Sequence, residues 1–309
     1  MLEGIGLKVA STLFFSGMVA IVKTYAGDYP LAEIVFFRSF FALFVLVAWL
    51  WARREFPAAL HTKQFTGHLL RSLAGTASLA CSFSAFGLLP LADATAIGYA
   101  GPLFIVAFAG LMLKETVGPA RWGAVALGSC GVMLMLWEHI GVSQTETSRG
   151  ALGAFLALMA AVFVAIAMIQ TRRLVQTEHM GAVIFYFQAT ASAFAAAFML
   201  IAWSWPGSGG VADFMHAQAW MEPRARDWGP LIAAGLLGGM GQLLMTSSYK
   251  LADASVIACF DYTSMIWALV LGAVFFAETP SPIVLTGAAI VAAAGILVIL
   301  SERRWRRMA

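Results

Sequence analysis

Residues 91–95 read LADAT, and residues 251–255 read LADAS. Four letters recur in order, with Thr exchanged for Ser, 160 positions apart in a chain of 309 residues. The likeness extends beyond the word itself. Asp93 is followed by an apolar run, then Glu115-Thr116 and Pro119. Asp253 is followed by an apolar run, then Glu278-Thr279 and Pro282, so the offset grows from 160 to 163, about one helical turn. Upstream, AIVKT at 20–24 is answered by AMIQT at 167–171. One unit is written twice, with 1–145 as its first copy and 146–309 as its second.

Composition states the solvent. Hydrophobic residues make up 61% of the chain and charged residues 11%, whereas a soluble domain carries roughly 25% charged residues. Mean hydropathy is +0.84. That much apolar surface calls for lipid. A net charge of +3 carries little information about partners. No basic stripe interleaved with aromatic residues points to nucleic acid. Cys81, Cys130 and Cys259 each fall in an apolar run, where they read as small buried hydrophobes and not as a disulfide or metal site. The phosphate-binding pattern GxxxxGK[ST] does not occur, so ATP hydrolysis is not expected to power the protein.

A helix that crosses a bilayer needs about 20 apolar residues. Ten such runs are expected, at 4–24, 31–51, 67–89, 93–113, 118–138, 150–171, 181–205, 229–250, 253–277 and 281–301. The first could pass for a signal peptide, but its counterpart at 150–171 argues for a retained helix. With the N-terminus in the cytoplasm, fourteen Lys and Arg residues flank the inner side, Lys8 and Arg71 among them. Four flank the outer side: Lys23, Arg149, Arg224 and Arg226. Arg38 lies within a span. The bias obeys the positive-inside rule, and most tryptophans sit at span ends, as amphipathic rings prefer.

Five helices per copy is an odd number, so the second copy enters the membrane from the opposite side. The expected fold is an all-α integral membrane protein of ten transmembrane helices in a 5+5 inverted-topology repeat. Such a repeat suits alternating access, because exchanging the conformations of two similar halves turns an outward-open cavity into an inward-open one. The alternative is a duplication that only fills the membrane.

The LADAT…KET and LADAS…AET blocks, PLAEIVFFR at 30–38 and the ten runs in two halves resemble the drug/metabolite transporter superfamily, and within it the EamA-type bacterial exporters. The resemblance covers the whole chain. It implies a bundle with spans 1, 3, 4, 6, 8 and 9 around a central cavity and spans 5 and 10 at the periphery. It also implies export of amino acids or related metabolites from the cytoplasm across the bacterial inner membrane, with similarity to aromatic amino-acid exporters. Both termini are then cytoplasmic.

Charge deep in lipid is costly, so each buried ionisable residue is a functional candidate. Asp261, Ser264 and Trp267 share an arc of roughly 120° on span nine. They could hold an amine and an apolar or aromatic side chain, or Asp261 could bond a neighbouring helix while Trp267 packs. Arg38 could grip a carboxylate bidentately, snorkel outward, or pair with Glu33. Lys23 and Gln170 are repeat counterparts at span ends, either gate groups or solvated ends. Ser78 and Ser82 on span three follow the same periodicity as Gln242 on span eight, which suits either a shared cavity lining or close helix packing. Tyr99 shares a face with Thr95 and the helix-kinking Pro102.

An intramembrane enzyme would need an acid/base or metal cluster at one depth. The five histidines, at 61, 68, 139, 179 and 216, lie near span ends or in loops. A channel would need a symmetric polar ring that two unequal halves do not supply. The sequence therefore favours a secondary transporter of small, apolar or zwitterionic metabolites. It needs no cofactor or metal, its partners are the substrate and the bilayer, and it acts as a monomer or homodimer.

Overall fold

The computed structural model describes residues 2–98, 100–101, 103–105, 108, 119–140, 146–175, 177–209, 211–251, 263–290 and 292–294. Tyr99, Pro102, Glu115, Asp253, Cys259 and Asp261 lie outside the described residues. No β-strand occurs among those described. In chain order the main helices are α1 (Leu2–Tyr25), α2 (Leu31–Ala52), α3 (Phe65–Leu88), α4 (Leu91–Gly98), α5 (Pro119–Ile140), α6 (Glu146–Leu174), α7 (Met180–Trp203), α8 (Trp228–Leu251), α9 (Thr263–Phe276) and α10 (Pro282–Ala294). A six-residue helix, Val211–His216, interrupts the α7–α8 connection.

Six of these helices, α1, α2, α3, α6, α7 and α8, contain stretches of at least 21 residues apolar enough to cross a membrane. The chain is a multi-pass membrane protein. Hydrocarbon offers no partner for a backbone N–H or C=O, so a helix that satisfies both internally is the stable choice. The breaks have local causes. Leu89 precedes Pro90, which pushes it out of the helical region. It is extended (φ −123°, ψ 158°) and closes α3, while the Pro90 carbonyl accepts the Ala94 N–H to open α4. His179 caps α7, its Nδ1 accepting the Gly181 N–H at 3.0 Å.

The broadest helix contacts are α3 on α6 and α1 on α8, followed by α2 on both α8 and α7. The helix α3 also meets α7, α1 meets α9, and α4 meets α6 and α9. Small residues set the distances, as in other membrane bundles. A Cβ on Gly235 would stand 2.7 Å from the Phe37 carbonyl oxygen, and one on Gly239 would stand 2.9 Å from the Ala42 Cα. Around these contacts, Val22, Ile34, Phe83 and Ala234 form one core, and Leu50, Met180, Ile184 and Leu243 another. Apolar side chains also cover the outside. Trp203 is 76% exposed and Phe275 69%, which in lipid is the favoured arrangement.

Three sequence expectations change here. Lys8 and Arg71, expected as flanking charges, lie within α1 and α3 and are buried. Cys130, expected as a buried hydrophobe, is exposed on α5. A side chain on a helix is buried or exposed by its neighbours across the interface, which hydropathy along one helix does not report.

The ends of the bundle are stapled by polar contacts. At one end, the Glu178 carboxylate accepts the Lys63 N–H at 3.1 Å and lies 3.7 Å from His68 Nε2, while Gln64 Nε2 donates to Thr177 Oγ1 at 2.8 Å. Burial alone would raise the Glu178 pKa, but the Lys63 amide, the Thr62 hydroxyl and His68 together hold it below the usual carboxylate range. At the other end, Tyr29 donates to Asp227 Oδ2 at 2.6 Å and accepts the Arg224 N–H at 3.1 Å. Burial and the Asp227 bond push the Tyr29 phenol upward.

Two outcomes are expected. Gly235→Ala places a methyl group against backbone and should cost about 1–3 kcal/mol. Gly6→Ala enters open space and should be neutral, and thermal unfolding in detergent checks both. Because the folded pKa of Glu178 is depressed, its stabilisation is present above the unfolded value and lost as pH falls through the folded one. The melting-temperature gap between the wild type and Glu178→Gln should therefore be widest near neutral pH and close in acid. A gap independent of pH would contradict this.

Candidate functional site

A cavity of about 280 Å³ lies where α1, α3, α4, α6 and α9 converge. Its wall is mostly apolar. The helix α1 supplies Phe15, Ser16 and Val19, and α3 supplies Ser78, Ser82, Ala85 and Phe86. Leu91, Ala94, Thr95 and Gly98 come from α4. The wall is completed by Ala157, Ala160, Ala161 and Val164 of α6 and by Ser264 and Ala268 of α9. Among the described residues, the lining holds hydroxyls but no charged side chain. Such a surface suits a small, largely apolar molecule with a few hydrogen-bonding groups. The hydroxyls are partly committed: Ser78 Oγ donates to the Ala160 carbonyl at 3.0 Å, and Thr95 Oγ1 donates to the Leu91 carbonyl at 2.7 Å.

A polar clasp closes one end. Lys23, near the end of α1, forms an ion pair with Glu278 Oε1 at 2.8 Å and donates to the Leu89 carbonyl at 2.7 Å. Glu278 Oε2 accepts the N–H of Leu91 at 2.8 Å, and Leu91 itself lines the cavity. One lysine and one carboxylate thus tie α1, the α3–α4 turn and the segment after α9 together.

The sequence-derived candidates divide. Ser78, Ser82 and Ser264 come together in the cavity wall. Trp267 does not line it; its indole N–H donates to Thr12 Oγ1 at 3.3 Å and packs α9 on α1. Gln242 and Gln170 are buried but lie outside the lining, and α8 contributes nothing to this cavity although the resemblance implied it. Arg38 is buried and does not reach Glu33. Its Nη1 donates to Gln188 Oε1 at 2.8 Å, while Glu33 Oε2 accepts the Met221 N–H at 3.0 Å. Phe187 and Gln188 were not singled out from the sequence. The signal was present: PLAEIVFFR at 30–38 aligns with MGAVIFYFQ at 180–188 at an offset of 150, setting Phe37 against Phe187 and Arg38 against Gln188. Among the described residues, no group of three His, Cys, Asp or Glu side chains is placed to hold a metal ion.

A bundle of apolar helices around a small, mostly apolar chamber, with an ion pair at one end, suits a membrane transport protein. The comparisons agree. The EamA-like transporter family matches residues 2–137 and 151–301, and the chain belongs to that family. The pseudopaline exporter CntI of Pseudomonas aeruginosa is 29% identical over 301 residues, covering 97% of each chain. The riboflavin transporter of Rhizobium johnstonii is 26% identical, covering 90% of this chain and 84% of that one. The S-adenosylmethionine uptake transporter of Rickettsia felis is 24% identical, covering 98% and 94%. These relatives are transporters, not enzymes. A protein of known crystal structure shares the fold with a TM-score of 0.66 at 21% identity, over 98% of each chain.

Gly98 lines the cavity and has open space where a Cβ would stand. Gly98→Leu should fill part of the chamber, leave the melting temperature nearly unchanged, and cut transport at least tenfold. Full transport by a stable Gly98→Leu protein would remove this cavity from the substrate path.

Proposed function

We propose that the chain is a secondary transporter that exports small metabolites, foremost amino acids with apolar or aromatic side chains. On this reading it works by alternating access between two inverted five-helix halves, 1–145 and 146–309. Ten spans cross the bacterial cytoplasmic membrane, with both termini inside. The protein acts as a monomer or homodimer. Lys23 and Gln170 are the gate groups at opposite ends. Ser78, Ser82 and Ser264 contact cargo in the chamber, with Tyr99 and Asp261 as further contacts. Trp267 and Gln242 support the lining from behind, and Arg38 serves a cargo carboxylate.

One observation supports this reading: the broadest helix contacts pair up when the two halves are exchanged. Replacing each of α1–α4 by its counterpart in α6–α9, and the reverse, turns the α3–α6 contact into α8–α1, α2–α8 into α7–α3, and α1–α9 into α6–α4. The α2–α7 and α4–α9 contacts map onto themselves. The correspondence reaches single residues. Gly75 meets the Phe187 ring and Gly235 the Phe37 carbonyl, and Thr24 donates to the Ala20 carbonyl as Thr171 donates to that of Ala167. The chamber is walled by both halves. Two similar halves around one chamber supply the near-equal energies that alternating access requires.

Relatives named for a pseudopaline exporter, a riboflavin transporter and an S-adenosylmethionine uptake transporter make a different metabolite class the second reading. Radiolabelled counterflow in proteoliposomes, run with a panel of amino acids, riboflavin and S-adenosylmethionine, with and without a pH gradient, separates the two. Exchange of aromatic and aliphatic amino acids supports the first reading, and exchange of the other compounds alone supports the second. Cysteines at 93 and 253 that react from the same compartment would refute the inverted halves.

The clasp gives a sharper outcome. In a background lacking native cysteines, Ser82→Cys should react severalfold faster with a membrane-impermeant maleimide from the outer side once Lys23→Ala or Glu278→Gln removes the ion pair. An unchanged labelling rate would show that the clasp does not gate this end.

A further inference from the structure

We propose that Arg38 and Arg71, set against the Phe187 ring beyond the chamber, form a recognition site for a carboxylate on the transported molecule. The inference rests on the transporter reading and adds the chemical class of its cargo.

Three helices bring the donors together. Arg38 of α2 and Arg71 of α3 place their guanidinium carbons 5.6 Å and 4.0 Å from the centroid of the same ring, Phe187 of α7. Each is held by one bond: Arg38 Nη1 to Gln188 Oε1 at 2.8 Å, and Arg71 Nε to Thr171 Oγ1 at 3.1 Å. Those bonds fix the guanidinium planes. Three buried nitrogens remain without a partner in the protein: Arg38 Nε, Arg71 Nη1 and Gln188 Nε2. All three are N–H donors. Arg38 is 3% exposed and Arg71 6%, and no carboxylate among the described residues pairs with either. Glu33 accepts the Met221 N–H, and Glu178 accepts the Lys63 N–H beside His68.

Two cations buried beside each other are costly to keep, and a ring face offsets only part of that cost. A planar anion offers the acceptors that these donors lack, and a two-oxygen carboxylate is the shape a guanidinium fork is built to read. The place in the fold suits cargo. Along α3, Arg71 comes first, Ser78 and Ser82 of the chamber follow, and the Phe86 and Leu89 carbonyls of the Lys23 clasp come last. Gly75, between Arg71 and Ser78, lets the Phe187 ring approach so closely that a Cβ would stand 2.6 Å from it. The arginine pair therefore lies on the side of the chamber away from the clasp, where it meets molecules arriving from the opposite face. A conserved charge is not required of the second half: the counterpart of Arg38 is Gln188, and that of Arg71 at an offset of 160 is Leu231.

The test uses the purified full-length protein in detergent, with thermal unfolding as the readout and succinate, its diamide succinamide, inorganic phosphate and sodium chloride as probes at matched ionic strength. Succinate should raise the melting temperature of the wild type, and succinamide and chloride should not. Arg71→Gln and Arg38→Gln should weaken the succinate effect at least tenfold. Arg71→Lys keeps the charge without the fork, so it should bind several-fold more weakly; it remains informative if a glutamine variant fails to fold. Equal stabilisation by succinate and succinamide, or an Arg71→Lys protein with wild-type succinate affinity, would overturn the proposal. Stabilisation by phosphate but not by succinate would overturn the carboxylate assignment. Counterflow in proteoliposomes separates this idea from the one beneath it. Exchange of neutral molecules without succinate binding sinks the anion site alone. Succinate binding with exchange of other compounds but of no amino acid upholds the site and sinks the amino-acid reading.

Discussion

The bilayer interior supplies no hydrogen-bond partner, and the rest of this structure follows from that. Every amide in the spanning segments must be satisfied within its own helix, so the chain has one secondary structure to use and must find its specificity elsewhere. It finds it in size. Gly235 and Gly239 admit the backbone of α2, Gly75 admits the Phe187 ring, and alanines of α6 form part of the chamber wall. Lipid tails are as apolar as leucine, so hydrophobicity alone does not select one helix partner over another. Close approach through small side chains does.

Some of the polar groups have an identifiable task. At one end the Lys23–Glu278 pair ties α1 to the α3–α4 turn. At the two surfaces, Tyr29 with Asp227 and Glu178 with His68 and Lys63 fasten the starts of second and third helices from opposite halves of the chain. A contact of this kind holds without a large apolar interface and can be undone without exposing one.

Much of this was legible in the sequence. Composition and the Lys/Arg distribution give the membrane, the LADAT and LADAS words give the doubling, and the spacing of Ser78, Ser82 and Ser264 finds part of the chamber wall. The reading was weakest for single charged residues. Arg71 scores as a flanking charge by its distance from the end of its apolar run, yet α6 and α7 cover it with Thr171 and Phe187. Glu33 and Arg38 sit five residues apart and look like partners, but they point about 140° apart around the helix and bond to different neighbours. Trp267 shares an arc with Ser264 and still turns toward Thr12 of α1.

The difference has a physical origin. Helix formation, apolar content and charge bias are summed along the chain, so the amino-acid order by itself determined that this protein crosses membranes as helices and carries a doubled pattern. Which face of each helix meets which neighbour depends on contacts between residues 66 to 255 positions apart, such as Lys23 with Leu89, Arg38 with Gln188 and Trp267 with Thr12. Those contacts compete with one another for the same small interfaces, and the outcome is set by packing in three dimensions. Only the tertiary structure decided that the serines face a chamber, that Lys23 clasps Glu278, and that two arginines share one aromatic ring.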